Sequence, residues 1–180
     1  MAVVWREEAA IAVGVSRPAT AMIADNDVLT GVNLRRMQAS IMNYQGSCHC
    51  RNLRIEFATE TRAAEIEVRA YQCSFCRKHG SHAVADSAGQ LLIRAERGDL
   101  VGRHAFGLRT AEYLICRNCG VYVAAVTTGE SQLRGIAIVN CLDERRQFAR
   151  EPIVVDYSSE SRDGRIERRR RRWTPAILVE

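Results

Sequence analysis

The sequence predicts a mainly β protein, built from short antiparallel strands and followed by minor C-terminal helices. Three observations carry this. Apolar residues alternate with polar ones over short runs, glycines punctuate those runs, and no helix of about twelve residues fits between Asn43 and Val139. In the first run Leu53, Ile55 and Phe57 alternate with Arg54 and Glu56. In the second, Ile66, Val68 and Ala70 alternate with Glu67 and Arg69. The runs Gln90–Ala95, Asp99–Phe106, Ala111–Cys116, Val121–Thr127 and Leu133–Val139 follow, with Gly89, Gly98, Gly107, Gly129 and Gly135 around them. Two helical candidates close the chain: Asp143–Ala149, and Ser161–Arg172 ahead of Trp173 and Pro175.

Composition bounds the function. At 47% hydrophobic and 26% charged residues the chain is that of a globular protein, not a disordered one. No apolar run approaches the roughly eighteen residues that a membrane span needs. Residues 1–41 carry no cysteine or histidine and no clean alternation, and they read as a disordered extension or a mis-assigned start, with Met42 as the alternative first residue. A cleavable leader ending near Ala19-Thr20-Ala21 is opposed by Glu7 and Glu8, which sit where positive charge belongs. Residues 42–156 form the expected folded domain and 157–180 a basic helix and tail. The net charge of +5 is unevenly spread: 160–180 holds seven arginines and four acids. Arg168–Arg172 could neutralise phosphates, with Trp173 stacking on a base. The mixed charges of Arg162, Asp163, Arg165 and Glu167 argue instead for a solvated helix face, and against nucleic acid as a partner.

Seven cysteines are the chemical signal. Six fall in pairs: Cys48 and Cys50 as C-x-C, Cys73 and Cys76 as C-x-x-C, Cys116 and Cys119 as C-x-x-C followed by Gly120. An odd count at short spacings suits metal ligation in a reducing, cytoplasmic setting better than a secreted disulfide framework. Zinc takes four tetrahedral thiolate or imidazole ligands. Alternate residues of an extended chain point to one side, so a C-x-C pair can meet a C-x-x-C knuckle and complete four sulfurs. A zinc joining Cys50 to Cys116 would staple the first strand to the middle of the sheet. Cys141 stands alone after a strand and reads as a small apolar filler.

Gly46-Ser47-Cys48-His49-Cys50, Cys73-Ser74-Phe75-Cys76-Arg77-Lys78 and Cys116-Arg117-Asn118-Cys119-Gly120 together resemble the glutathione-dependent formaldehyde-activating family, which includes the centromere protein V domain. The resemblance runs from about Asn43 to Pro152, and Phe106–Thr110 and Cys141-Leu142-Asp143 share it. It implies a zinc-bound β-tent. Cys48, Cys50, Cys116 and Cys119 would hold a structural zinc, and Cys73 and Cys76 would serve a second, catalytic zinc. The implied activity is a carbon–sulfur lyase of the S-(hydroxymethyl)glutathione synthase kind, with glutathione or a similar small thiol and an aldehyde as partners. The family's second site reads C-x-C-x-x-C, whereas here Tyr71 stands in the first cysteine's place. Phenolate ligation is costly near neutral pH, since an unperturbed tyrosine has a pKa of about 10. His79 and His82 are the candidate replacement ligands. Arg77, Lys78 and Arg109 are candidates to receive substrate carboxylates. The alternative is a non-catalytic zinc module that keeps only the structural ion.

Overall fold

The structure, a computed structural model, describes residues 40–128 and 131–180. All its elements lie in the unit Gln38–Glu180. The reading of residues 1–41 as an extension falls almost wholly outside the described residues. The fold is mainly β. Strands β1 (Met42–Ser47), β2 (Leu53–Thr59) and β5 (Gln90–Ala95) form an antiparallel set in which the inward residues Leu53, Ile55, Phe57, Leu91 and Ile93 are almost wholly buried. The second set holds β3 (Arg69–Tyr71), β4 (His82–Val84), β6 (Val101–His104), β7 (Ala111–Cys116), β8 (Tyr122–Thr127), β9 (Arg134–Ile138) and β10 (Ile153–Val155). Every residue of β8 is buried, as expected of a strand covered on both faces.

The last strand, β11 (Thr174–Val179), joins the two sets. Thr174 and Pro175 pair antiparallel with β9, and Ala176–Val179 run parallel to β5. This corrects the expectation of a C-terminal tail: the residues after the helix are an interior strand with neighbours on both sides. Antiparallel pairings dominate, as the sequence predicts, and β10 with β3 is the other parallel pair. Such pairings join segments remote in sequence and leave no hairpin signal.

Three further expectations shift. Ile66 and Val68 are buried as the alternation requires, yet β3 begins only at Arg69, after a short 3₁₀ turn at Ala63–Glu65. The run at 99–106 is a 3₁₀ turn, Gly98–Leu100, leading into the shorter β6. The helix expected at 143–149 is a single 3₁₀ turn, Arg145–Gln147. There the Asp143 N–H donates to the Gln45 carbonyl of β1, and Phe148 packs edge-on against Tyr44, so long-range contacts hold both ends of a segment too short to nucleate an α-helix. Among the described residues two α-helices form, α1 (Ser74–Lys78) and α2 (Arg162–Arg172), the latter capped by Ser161, whose hydroxyl accepts from the Gly164 N–H. Gly46 sits where β1 touches the 141–142 backbone, and a Cβ there would fall 2.1 Å from the Cys141 carbonyl oxygen.

Candidate metal centre and active-site cavity

Cys48 and Cys50 lie in the β1–β2 connection. Its tight course is set by hydrogen bonds from the Cys48 N–H to the Leu53 carbonyl and from the Arg51 N–H to the Cys48 carbonyl, both 2.9 Å. Cys116 ends β7, and Cys119 follows in a knuckle closed by the Gly120 N–H donating to the Cys116 carbonyl at 2.7 Å. Gly120 has φ +77°, the left-handed turn that frees the chain to start β8. These two connections bring the four sulfurs within 4.8 Å of one another. Cys48 and Cys50 are 3.6 Å apart, and Cys50 and Cys116 are 3.4 Å apart. A zinc tetrahedron with bonds of about 2.3 Å separates its sulfurs by about 3.8 Å, so the cluster fits such an ion. Burial pushes the Cys48 thiol up to about 12, whereas hydrogen bonds from the Asn118 side chain and the Asn52 backbone bring Cys50 down to about 6. Only a cation in the cluster would let all four ionise together.

Cys141 is not part of this cluster. Its thiol donates to the Tyr122 carbonyl at 3.3 Å, and burial raises it to about 11.

Cys73 caps α1: its sulfur accepts the Cys76 N–H at 3.4 Å and lies 2.9 Å from the Cys76 sulfur. The hydrogen bond with Cys76 brings Cys73 down to about 6, aided by backbone donors and by the charge of Arg165, and it raises Cys76 correspondingly. The helix is anchored through Phe75, whose ring packs against His79, His104, Phe106, Tyr113 and Tyr122 with centroid distances of 4.4–5.7 Å. His79 packs against Phe75 and Tyr122 while remaining exposed, and His82 lies in β4. Among the described residues no histidine, cysteine or carboxylate joins Cys73 and Cys76 in a group of three ligands. Tyr71 borders the same cavity, but burial raises its hydroxyl and opposes phenolate formation. Two sulfurs and a protonated phenol do not fit a zinc ion.

Cys73 and Cys76 line a cavity of about 180 Å³. Tyr71, Phe106 and Tyr113 supply aromatic wall, and α2 with its C-cap contributes Arg165, Arg168, Arg169 and Trp173. The cations expected near a substrate carboxylate, Arg77, Lys78 and Arg109, are exposed and border no part of this cavity. Its cations come instead from α2. Arg165, Arg168 and Arg169 stand at i, i+3 and i+4, one helical face, and this face turns inward. That spacing was the available signal, masked by the usual solvation of arginine. Arg170 and Arg171 meanwhile reach Glu167 at 4.0 and 3.5 Å, so the run does not form one basic stripe for phosphates.

Fold and cluster together define a β-sheet domain whose four converging cysteines could hold a metal ion. The family model of the glutathione-dependent formaldehyde-activating enzymes matches residues 43–157, and the chain belongs to that family. Helix α2 and strand β11 lie beyond the matched segment. A crystal structure of a Rhodobacter sphaeroides protein, solved as a structural-genomics target, is similar at 27% identity, covering 62% of this chain and 99% of its own, with a TM-score of 0.48. No curated protein matches the chain significantly. Among the described residues no helix is long and apolar enough to cross a membrane.

Proposed function

We propose that the chain joins a thiol to an aldehyde, and reverses that step, in the cavity lined by Cys73 and Cys76. The observation that carries this is the pair of sulfurs 2.9 Å apart on a cavity wall. The family description supports glutathione and formaldehyde as the reactants. Addition needs a proton taken from the thiol and a proton given to the carbonyl oxygen. Cys73, the less basic sulfur, takes the thiol proton. The thiolate electron pair then forms the carbon–sulfur bond while the carbonyl π pair moves to oxygen, which receives the Cys76 proton. Transfer between the two sulfurs restores the starting state, and the reverse sequence cleaves the bond. Paired groups with opposed proton affinities are the usual means of running acid and base steps at one pH.

Cys48, Cys50, Cys116 and Cys119 would hold zinc, which supplies folding free energy there and no chemistry. Free thiols throughout favour a reducing compartment, and we place the protein in the cytoplasm. The test is exchange spectroscopy of ¹³C-formaldehyde with glutathione. The wild type accelerates exchange, Cys73→Ser abolishes the acceleration, and both retain one zinc per chain by elemental analysis. The absence, among the described residues, of a third ligand at Cys73 and Cys76 favours a second reading, a non-catalytic zinc module. Equal exchange rates with and without wild-type protein would select it.

A further inference from the structure

Arg169 is only 6% exposed. One of its terminal nitrogens donates to the Thr110 hydroxyl at 2.5 Å, and the guanidinium lies 4.7 Å from the centre of the Trp173 ring. Among the described residues no carboxylate pairs with it. Its charged neighbours are further arginines and, more distantly, the Glu160 carboxylate, which Arg168 already engages through its Nε and one terminal nitrogen at 2.8 and 2.9 Å. A buried cation with no directly paired carboxylate is costly to keep, and Glu160 offsets this one only at longer range.

A second observation points the same way. Tyr71 Oη, Arg165 Nε, Arg169 Nε and Trp173 Nε1 are each buried without a hydrogen-bond partner among the described residues, although Arg165 Nε faces the Glu160 carboxylate as an ion pair at 3.8 Å. All four belong to residues that line the one cavity beside Cys73 and Cys76. Each carries a proton to donate, so the group they suit is rich in acceptors, and an ionised carboxylate accepts only. Arginine forks match carboxylates in a paired geometry, which neutral acceptors cannot reproduce. The cavity of about 180 Å³ is smaller than the usual drug-sized site of about 300–1,000 Å³.

We propose that this cavity is a binding site for a small organic carboxylate, held by Arg169 with Arg165 and Trp173 around it, its other end lying towards Cys73 and Cys76. The site is built largely from α2, outside the segment that the family model matches. It rests on the buried donors and the cavity, and it is independent of the thiol–aldehyde reading because its ligand need not react.

The test uses the full-length, metal-loaded chain carrying Trp5→Phe, so that Trp173 is the sole tryptophan, titrated with propionate, propionamide and sulfate. Propionate gives a saturable change in Trp173 emission. The isosteric propionamide gives none, and sulfate binds at least tenfold more weakly. Arg169→Gln weakens propionate at least tenfold, and Arg169→Lys, which keeps the charge and loses the fork, falls between. Arg169→Met melts no lower than the parent, because a buried charge without a directly paired carboxylate has gone. An equal response to propionamide or sulfate, no saturable response to propionate, or an unchanged affinity in Arg169→Gln would each overturn the proposal. The propionate and propionamide comparison needs no variant at Arg169, so it decides even where those variants fold poorly.

Discussion

Replacing Cys116 with serine is the most demanding test of the four-sulfur cluster. Cys116 is fully buried at the end of β7 and sits 3.4 Å from Cys50, a residue 66 positions earlier in the chain. A cross-link closing a loop of that length removes about 4 kcal/mol of unfolded-chain entropy. A metal that ties the two sulfurs contributes at least that much when it binds only the folded state. The serine hydroxyl left in the buried position adds about 1–3 kcal/mol where it finds no partner. The sum is about 5–7 kcal/mol, against a total stability of about 5–15 kcal/mol for ordinary domains. At about 2–4 °C per kcal/mol for a chain of this size, the melting temperature falls by at least 10 °C, and much of the protein is lost to the insoluble fraction. Calorimetry and elemental zinc on the same preparations provide the assay, with Cys141→Ala as the control, since Cys141 lies outside the cluster. A Cys116→Ser protein with normal melting and a full zinc ion would refute the staple.

Other substitutions probe separate parts of the fold. Gly46→Ala should cost about 1–3 kcal/mol in urea unfolding, because its Cβ would sit 2.1 Å from the Cys141 carbonyl oxygen. Ending the chain before Thr174 should leave a product without cooperative melting, since β11 lies between β5 and β9; a sharp transition near the parent's would show that the strand is dispensable. Glu160 is held below the usual carboxylate range, chiefly by its hydrogen bonds with Arg168. Its contribution is therefore present above the unfolded pKa of about 4.3 and lost as pH falls through the lower folded value. Glu160→Gln should remove up to about 1 kcal/mol of that acid-side fall, measured by unfolding at pH 6 and pH 3.

Strands whose partners are hairpin neighbours, or whose one face is buried, were legible in the sequence. Leu53, Ile55 and Phe57 alternate because β2 has one buried face, and Gln90–Ala95 and Ala111–Cys116 coincide with β5 and β7. Strands defined by distant partners were not legible. Ile153–Val155 has two exposed residues and, among the described strands, pairs with β3 alone, so no periodicity announces it. Thr174–Val179 contains a proline and pairs with two different strands along its length, which disperses any period-two pattern. Ile66 and Val68 show the converse: burial alternates correctly while ladder pairing begins later, because periodicity reports which side chains face the core and not which backbone groups are paired.

The candidate site divides in the same manner. Its cysteines announce themselves, because few other roles require paired thiols at two- and three-residue spacings. Its cations do not. Five successive arginines read as a surface feature, since an arginine side chain is seldom buried without a partner. What places Arg169 inside is the strand that follows it: β11 is fixed between β5 and β9, Trp173 is buried at its start, and α2 must therefore end against the cavity. Tyr71 and the arginines of α2, a helix beyond the segment that the family model matches, border one and the same cavity.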